Sequence, residues 1–445
     1  MEEPKRKETG RREFLQSAAL ALAGGAVAPA QSQSGEKKIR VGLIGVGWRG
    51  GYLGTSILKL IDQGEQVEIA GVCDLYQPRQ ERAEARFKAK GFKNTTDMLR
   101  EVPLDAVVIA TPDRAHLYNL REAIRAGKDV YVEKPLCYWD QFDLLKSVVH
   151  ENRELKRIVQ VGSQYLADSV WEKTADLIKQ GAIGKPVHIQ VPNFRNSDAG
   201  ERSPTFIDDP NAKPGVGLDW EKWQGDAPRR EFSITRFFQW RLYIEYSGGP
   251  LTDTGPHQIS PIYKMLRPLG IGMPQKVMAT GGRFYFNHHR TSPDTMDVLM
   301  QYPQNFTVAL LETYVNNQFP IETVIRGTDG CVIWRPDGTE IVPLVRGGMG
   351  ALTPGAAKPE LKPSTKVLND RAATRAAGAP GPGGYVDPTI EHIRDFLGAV
   401  RTRRQPRYDL ELGYIVQTPF CMAMRSHLEN KVALFDPNRE EIRMS

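Results

Sequence analysis

The string Gly45-Val46-Gly47-Trp48-Arg49-Gly50 constrains the fold of this chain more than any other feature. It follows an apolar run, Ile39-Arg40-Val41-Gly42-Leu43-Ile44, and opens a helix-like stretch to about Asp62. A second apolar run, Val67 to Cys73, ends at Asp74. Strand, glycine-rich turn, helix and a second strand closed by an acidic residue make up a dinucleotide-binding βαβ unit. Gly45 allows the tight turn, Gly47 admits a pyrophosphate against the backbone, and Gly50 lets the helix pack close to the strand. Trp48 and Arg49 then sit in the first helical turn, whose unpaired N–H groups face the phosphates.

Asp74 is placed to accept from both ribose hydroxyls. A 2′-phosphate would meet that carboxylate, so the expected cofactor is NAD rather than NADP, with Arg79 the one nearby base that softens the preference. The alternation continues. Leu104 to Ala110 is apolar and ends in Thr111-Pro112, and a helix follows from about His116 to Gly127. Asp129 to Val132 ends in Glu133-Lys134-Pro135, and Ile158 to Val161 is a further strand. Strands alternating with helices predict a doubly wound parallel sheet, and such sheets bind ligands off the carboxyl ends of their strands. Thr111, Pro112, His116, Glu133 and Lys134 are therefore expected to line the cofactor cleft. An ammonium at Lys134 can bond a substrate hydroxyl and stabilise negative charge developing there.

The rhythm changes near residue 164, giving a Rossmann domain over 39–164 and a C-terminal α/β domain over 165–445. Strand-like runs at 187–191, 276–286, 296–302, 306–314, 321–326 and 331–334 predict a large, open, mainly antiparallel sheet. Residues 195–235 are a polar and aromatic excursion. Residues 346–384, rich in Gly, Pro, Ala and Lys, read as a mobile loop. Around the excursion, Asn193, Arg195, Asp219, Trp220, Trp223, Trp240 and Arg241 offer aromatic faces and polar forks that suit a sugar ring.

The chain has 445 residues and a net charge of +6, from 59 basic and 53 acidic residues spread without blocks, which argues against a nucleic-acid partner. Residues 1–30 read as a signal peptide: a basic start, a short apolar run from Phe14 to Val27, and Ala28-Pro29-Ala30 as cleavage site. Arg11-Arg12-Glu13-Phe14-Leu15 resembles the twin-arginine (Tat) consensus, so the Tat machinery is an expected partner and the mature protein is expected to be exported, in the periplasm or beyond. Residues 31–38 form a linker, and no membrane span is expected in the mature chain. Cys73, Cys137, Cys331 and Cys421 lack metal-ligand spacing, so free thiols and no metal are expected.

Taken together, the glycine string, Asp74, Thr111-Pro112 with His116, and Glu133-Lys134-Pro135 resemble the Gfo/Idh/MocA oxidoreductases. So does Gly248-Gly249-Pro250-Leu251-Thr252-Asp253-Thr254-Gly255-Pro256-His257. The resemblance covers nearly the whole chain after the leader. It implies catalytic roles for Lys134, Asp253 and His257, a second domain whose open sheet often mediates homo-oligomerisation, and a sugar, polyol or glycoside substrate. Elementary chemistry agrees: removing a hydride from a carbinol carbon requires loss of the hydroxyl proton, and a histidine suits that base. Substrate contacts are expected from Tyr165, Arg195, Trp240 and Arg241, with Tyr165 the next candidate for the base. Two other functions stay open. One is a glycoside hydrolase that oxidises C3 transiently on a retained NAD; the other is a dinucleotide-binding sensor without catalysis.

Overall fold

Six strands pair in parallel: β1 (Ile39–Ile44), β2 (Val67–Cys73), β3 (Lys90–Phe92), β4 (Ala106–Ile109), β5 (Asp129–Glu133) and β6 (Val159–Gly162). Their order is β3-β2-β1-β4-β5-β6 in this computed structural model, which describes residues 37–196, 207–344, 363–376 and 387–445. All four residues of β4 and all five of β5 are buried, as a sheet covered on both faces requires. The covering helices are α1 (Trp48–Asp62), α2 (Gln77–Phe87), α3 (Thr95–Glu101), α4 (His116–Arg125) and α5 (Phe142–Leu155). Strand order reverses between β1 and β4, which opens the crevice where such sheets take their ligand. β3 and α3 are too short to show a periodicity, and the sequence reading did not contain them.

The second unit is built on α6 (Val170–Lys179), β7 (Pro186–Phe194), α7 (Trp220–Gln224), α8 (Ile234–Phe238), α9 (Pro250–Asp253) and α10 (Gly255–Leu266). Then come β8 (Lys276–Gly282), β9 (Thr295–Gln301), β10 (Thr307–Thr313), β11 (Val324–Gly327), β12 (Gly330–Arg335), β13 (Gly338–Pro343) and β14 (Thr365–Leu368). The chain closes with α11 (Asp370–Ala376), α12 (Pro388–Thr402), α13 (Leu410–Glu429), β15 (Ala433–Asp436) and β16 (Glu441–Met444). Ten strands form one sheet in the order β14-β13-β12-β11-β7-β10-β9-β8-β15-β16. Where pairing is recorded it is antiparallel, except between β7 and β10. Alternation sorts its two faces. Val277, Val298, Val308 and Leu310 turn inward and pack in one core with Phe420 and Met422 of α13. Met278, Leu299 and Leu434 turn outward and are 47%, 60% and 36% exposed.

Two expectations are revised. Within 346–384, residues 365–368 pair with β13 and 370–376 are helical, with Asp370 accepting from the amide of Ser169 at 3.0 Å. Composition hid this because β14 is an edge strand with little to bury, so nothing in it alternates. The excursion also has its own core: Trp220, Phe237, Phe238, Tyr243 and Tyr246 bury together with Tyr76 of the Rossmann unit. Trp220 and Trp223 stack on each other at 4.8 Å; Trp220 is buried beneath the segment, and Trp223 alone of the pair reaches the cavity wall. Helix α12 docks back on α1, adding Ile390, Ile393, Phe396 and Leu397 to the core of Leu53 and Ile57. The four cysteines are free, three of them buried. Among the described residues no helix is long and apolar enough to cross a membrane, and no cluster of ligating side chains could hold a metal. The proposed leader, residues 31–36 of the linker and residues 346–362 and 377–384 of the loop lie outside the described residues.

Candidate active site

The carboxyl ends of β1, β2, β4, β5 and β6 open onto a cavity of about 630 Å³ that the second unit roofs. At its floor, Gly45 has φ +79°, a region L-residues avoid, and a Cβ on Gly50 would lie 1.9 Å from the Gly45 carbonyl oxygen. Asp74 accepts the amides of Val46 and Tyr76, each at 2.9 Å. Burial raises its carboxyl above the ordinary value, against the pull of Arg79 and those two amides. A carboxylate offers about four acceptor positions, so two remain for ribose hydroxyls. Arg79 is engaged elsewhere, with Asp208 at 3.3 Å and over the Phe238 ring at 5.0 Å. Thr111 Oγ1 is buried on the cavity wall without a hydrogen-bond partner among the described residues. An orphaned donor beside a glycine loop and an acidic strand end fits an NAD molecule. The groups that would hold it are the 45–50 loop, Asp74 and Thr111-Pro112.

Four residues expected along the cofactor cleft have local partners. Arg49 and Glu133 line the cavity but bond each other at 2.7 Å, tying the start of α1 to the end of β5. His116 is buried, with Nδ1 2.6 Å from the Pro135 carbonyl and Nε2 2.8 Å from the Thr111 carbonyl. His116 thus bridges the ends of β4 and β5 while its ring also lines the cavity. Trp48 is 53% exposed and stacks on Tyr52 at 6.0 Å.

Lys134 reaches across to the second unit. Its Nζ lies 3.3 Å from Asp253 Oδ1 and also donates to the Asp253 carbonyl. Arg241 Nε stands 3.2 Å from the same carboxylate oxygen, and Tyr314 donates to Oδ2 at 3.4 Å. Burial alone would raise the Asp253 carboxyl; the charges of Lys134 and Arg241 overcome it and hold the group below its usual value. Asp113, just after Thr111-Pro112, shows the reverse balance. Burial is its largest effect and pushes it up to about 8, against the pull of Arg241 and Lys134.

His257, on the first turn of α10, lies beside both units. Its Nδ1 is 3.0 Å from Ser163 Oγ, which follows β6, and its ring meets Tyr165 edge to face at 5.3 Å. Helix α9 ends at Asp253 and α10 begins at Gly255, so a break at Thr254 separates the two residues; both nonetheless line the cavity. Arg195, Trp240 and Arg241 line it too, with the Arg241 guanidinium 4.2 Å from the Trp240 ring centre.

Sequence reasoning missed several residues here. Glu312 is one; it occupies the inward register of β10 after Leu310, and it faces Asn193, which was read as a sugar contact but holds the inward register of β7 after Val191. Asn193 Nδ2 donates to Glu312 Oε1 at 2.7 Å and to Thr254 Oγ1 at 2.5 Å, bracing the α9–α10 break from behind. Burial pushes Glu312 up to about 8, against the Asn193 hydrogen bond and Arg195. A polar residue continuing an apolar inward register was the available signal. Ser163 and Asp113 follow parallel strands at the ligand edge but belong to no motif.

Residues from 207–246 line the cavity beside the glycine loop and Asp74. Asp226 takes Arg114 at 2.9 Å, Tyr118 at 2.9 Å and Gln141 at 3.2 Å; Gln77 donates its amide to Gly217 at 2.8 Å; Tyr76 donates to Asp209. Lys222, Trp223 and Gln224 complete the wall opposite Asn94–Thr96 and Asn119.

Two family models match. An oxidoreductase family with an NAD-binding Rossmann fold matches residues 39–163, and the GFO/IDH/MocA C-terminal domain matches residues 222–333, together more than half of the chain. Inositol 2-dehydrogenase of Salmonella typhimurium is 26% identical over 165 residues, 37% of this chain and 48% of that enzyme. Inositol 2-dehydrogenase of Rubrobacter xylanophilus is 32% identical over 185 residues, 41% of this chain and 48% of that enzyme. The chain thus spans about half the length of the curated relatives it matches. Among solved structures, levoglucosan dehydrogenase in complex with NADH and levoglucosan superposes with TM-score 0.64 at 17% identity, covering 89% of this chain and 99% of the other. The WlbA dehydrogenase from Bordetella pertussis, in complex with NADH and UDP-GlcNAcA, gives TM-score 0.61 at 18% identity, over 90% and 99%. At such identities the likeness is one of fold.

Proposed function

Because this chain belongs to the Gfo/Idh/MocA family of NAD-binding oxidoreductases, we propose that it oxidises a carbinol carbon of a sugar, polyol or glycoside in the cleft between its two units. The observation that carries the proposal is the meeting of Lys134, from the end of β5, with Asp253 and His257 from the second unit, in the same cavity as the nucleotide loop. Bound NAD supplies the hydride acceptor. Lys134 donates to the carbinol oxygen and stabilises the charge that develops as its proton leaves. His257 takes that proton. Asp253, kept ionised by Lys134 and Arg241, anchors the ammonium and can accept from a neighbouring hydroxyl. Arg195, Trp240 and Tyr165 hold the ring. Purified protein incubated with NAD and a panel of polyols, aldoses and glycosides tests this by the absorbance of reduced nicotinamide. Cofactor binding with no reduction by any carbinol would contradict it.

A second reading is favoured by the segment 207–246, whose contacts with α2, α4 and Gln141 close the cofactor end. A trapped NAD suits a redox-neutral cycle, such as glycoside cleavage through transient oxidation. Sugar release without net nicotinamide reduction distinguishes it. Export through the Tat pathway remains a proposal resting on Arg11-Arg12. Homo-oligomerisation is likewise proposed, supported by the outward apolar face of Met278, Leu299 and Leu434.

A further inference from the structure

We propose that Ser163 and Ser260 are positioning residues that fix the tautomer of His257, placing its proton on Nδ1 and its lone pair on Nε2. Each hydroxyl in this chain of contacts has a single proton to give. Ser260 Oγ donates to the Pro256 carbonyl at 2.6 Å, and a carbonyl oxygen can only accept. A hydroxyl has one proton, so Ser260 has none left for Ser163 Oγ, 3.2 Å away. In a hydrogen bond between the two hydroxyls the donor is therefore Ser163. Its own proton is then spent, and toward His257 Nδ1, at 3.0 Å, it can only accept. The Nδ1 position carries the hydrogen.

In the other arrangement Ser163 gives its proton to His257, and its oxygen faces that of Ser260 at 3.2 Å with no proton between them. Both serines are fully buried, so no solvent hydroxyl substitutes for either partner. The Tyr408 phenol also faces Ser260, whose second lone pair can receive it. Tyr165, edge-on to the imidazole at 5.3 Å, restricts rotation of the ring.

The consequence is chemical. In the opposite tautomer Nε2 bears hydrogen and would donate to a substrate hydroxyl rather than take its proton. Ser163 arrives on the Rossmann side and Ser260 on α10, so the docking of the two units itself sets the polarity of the base. This inference rests on the reading of His257 as the proton acceptor.

The test is nitrogen-15 NMR of full-length protein labelled at histidine, with NAD added, at a pH where the imidazole is neutral. His257→Gln assigns the signals. The expected spectrum shows a pyrrole-like Nδ1 and a pyridine-like Nε2 for His257. In Ser163→Ala the Nδ1–H form loses population, and turnover falls roughly tenfold or more while KM stays within a few-fold. Ser260→Ala frees Ser163 to donate and shifts the tautomer the same way. An Nε2–H tautomer in the unsubstituted protein overturns the proposal. So does a tautomer unmoved in both variants. If the tautomer behaves as expected but His257→Ala keeps its turnover, the inference stands and the role of His257 as base fails.

Discussion

Lys134 Nζ lies 3.3 Å from Asp253 Oδ1, across 119 residues of sequence and the junction between the two sheets, with the side chains only 12% and 9% exposed. The pair is asymmetric. Removing Lys134 leaves Asp253 with Arg241 at 3.2 Å, whereas removing Asp253 takes the shared carboxylate from two half-buried cations at once. Asp253→Ala is therefore expected to cost about 3–5 kcal/mol, the range for breaking a buried pair, and Lys134→Ala clearly less. The folded-state pKa of Asp253 is depressed, so its contribution is present above the unfolded carboxyl value and is lost as pH falls through the folded one. Thermal unfolding of the two variants at neutral pH checks this; equal losses would contradict it.

Glu312 has the opposite sign. Its pKa is raised from the ordinary value of 4.5 to about 8, so the folded state holds the proton more tightly. That contribution is intact below pH 4.5 and is lost as pH rises toward 8. Glu312→Gln keeps the acceptor for Asn193 and removes the titration. The melting temperature of the variant is expected to gain on the unsubstituted protein between pH 5 and 8 and to hold that gain above. A difference flat in pH would show that Glu312 is ionised in the folded state.

Much of this site was visible in the sequence. Gly45, Gly50, Asp74 and Lys134 were legible because a parallel sheet presents its ligand edge at strand ends, and strand ends can be counted. Asp253 and His257 came with a motif. Ser163 sits at the same edge, but a serine after a strand carries no signal until Ser260 and Pro256 are beside it. Glu312 and Asn193 are single positions in two strands 119 residues apart, joined only by the register of β7 on β10. The docking of α12 on α1 is likewise a long-range choice that local periodicity cannot express.

Asp74 is proposed to set cofactor choice through the two acceptor positions that Val46 and Tyr76 leave open. Asp74→Ser should weaken NAD binding and narrow the preference over NADP. Titration of both cofactors against both proteins measures this. Tighter binding of NADP than NAD by the unsubstituted protein would contradict the role given to the carboxylate.

Asp226 ties three Rossmann side chains, Arg114, Tyr118 and Gln141, to the segment roofing the cofactor. Asp226→Ala should speed release of bound NAD while leaving the 45–50 loop unaltered. Displacement of prebound NADH, followed by its fluorescence, gives the rate. An unchanged rate would mean that 207–246 covers the cleft without retaining its contents.

The most direct measurement is single-turnover reduction of prebound NAD by a substrate carbinol, compared between the unsubstituted protein, Lys134→Ala and His257→Ala. NAD affinity should stay within a few-fold in both variants. The rate constant for reduction should fall by roughly 10²-fold or more in each, and the double variant should lose little beyond the worse single one, because both groups act on one proton. Reduction at the unsubstituted rate in His257→Ala, with NAD bound, would contradict the assignment of this cleft as the place where the carbinol is oxidised.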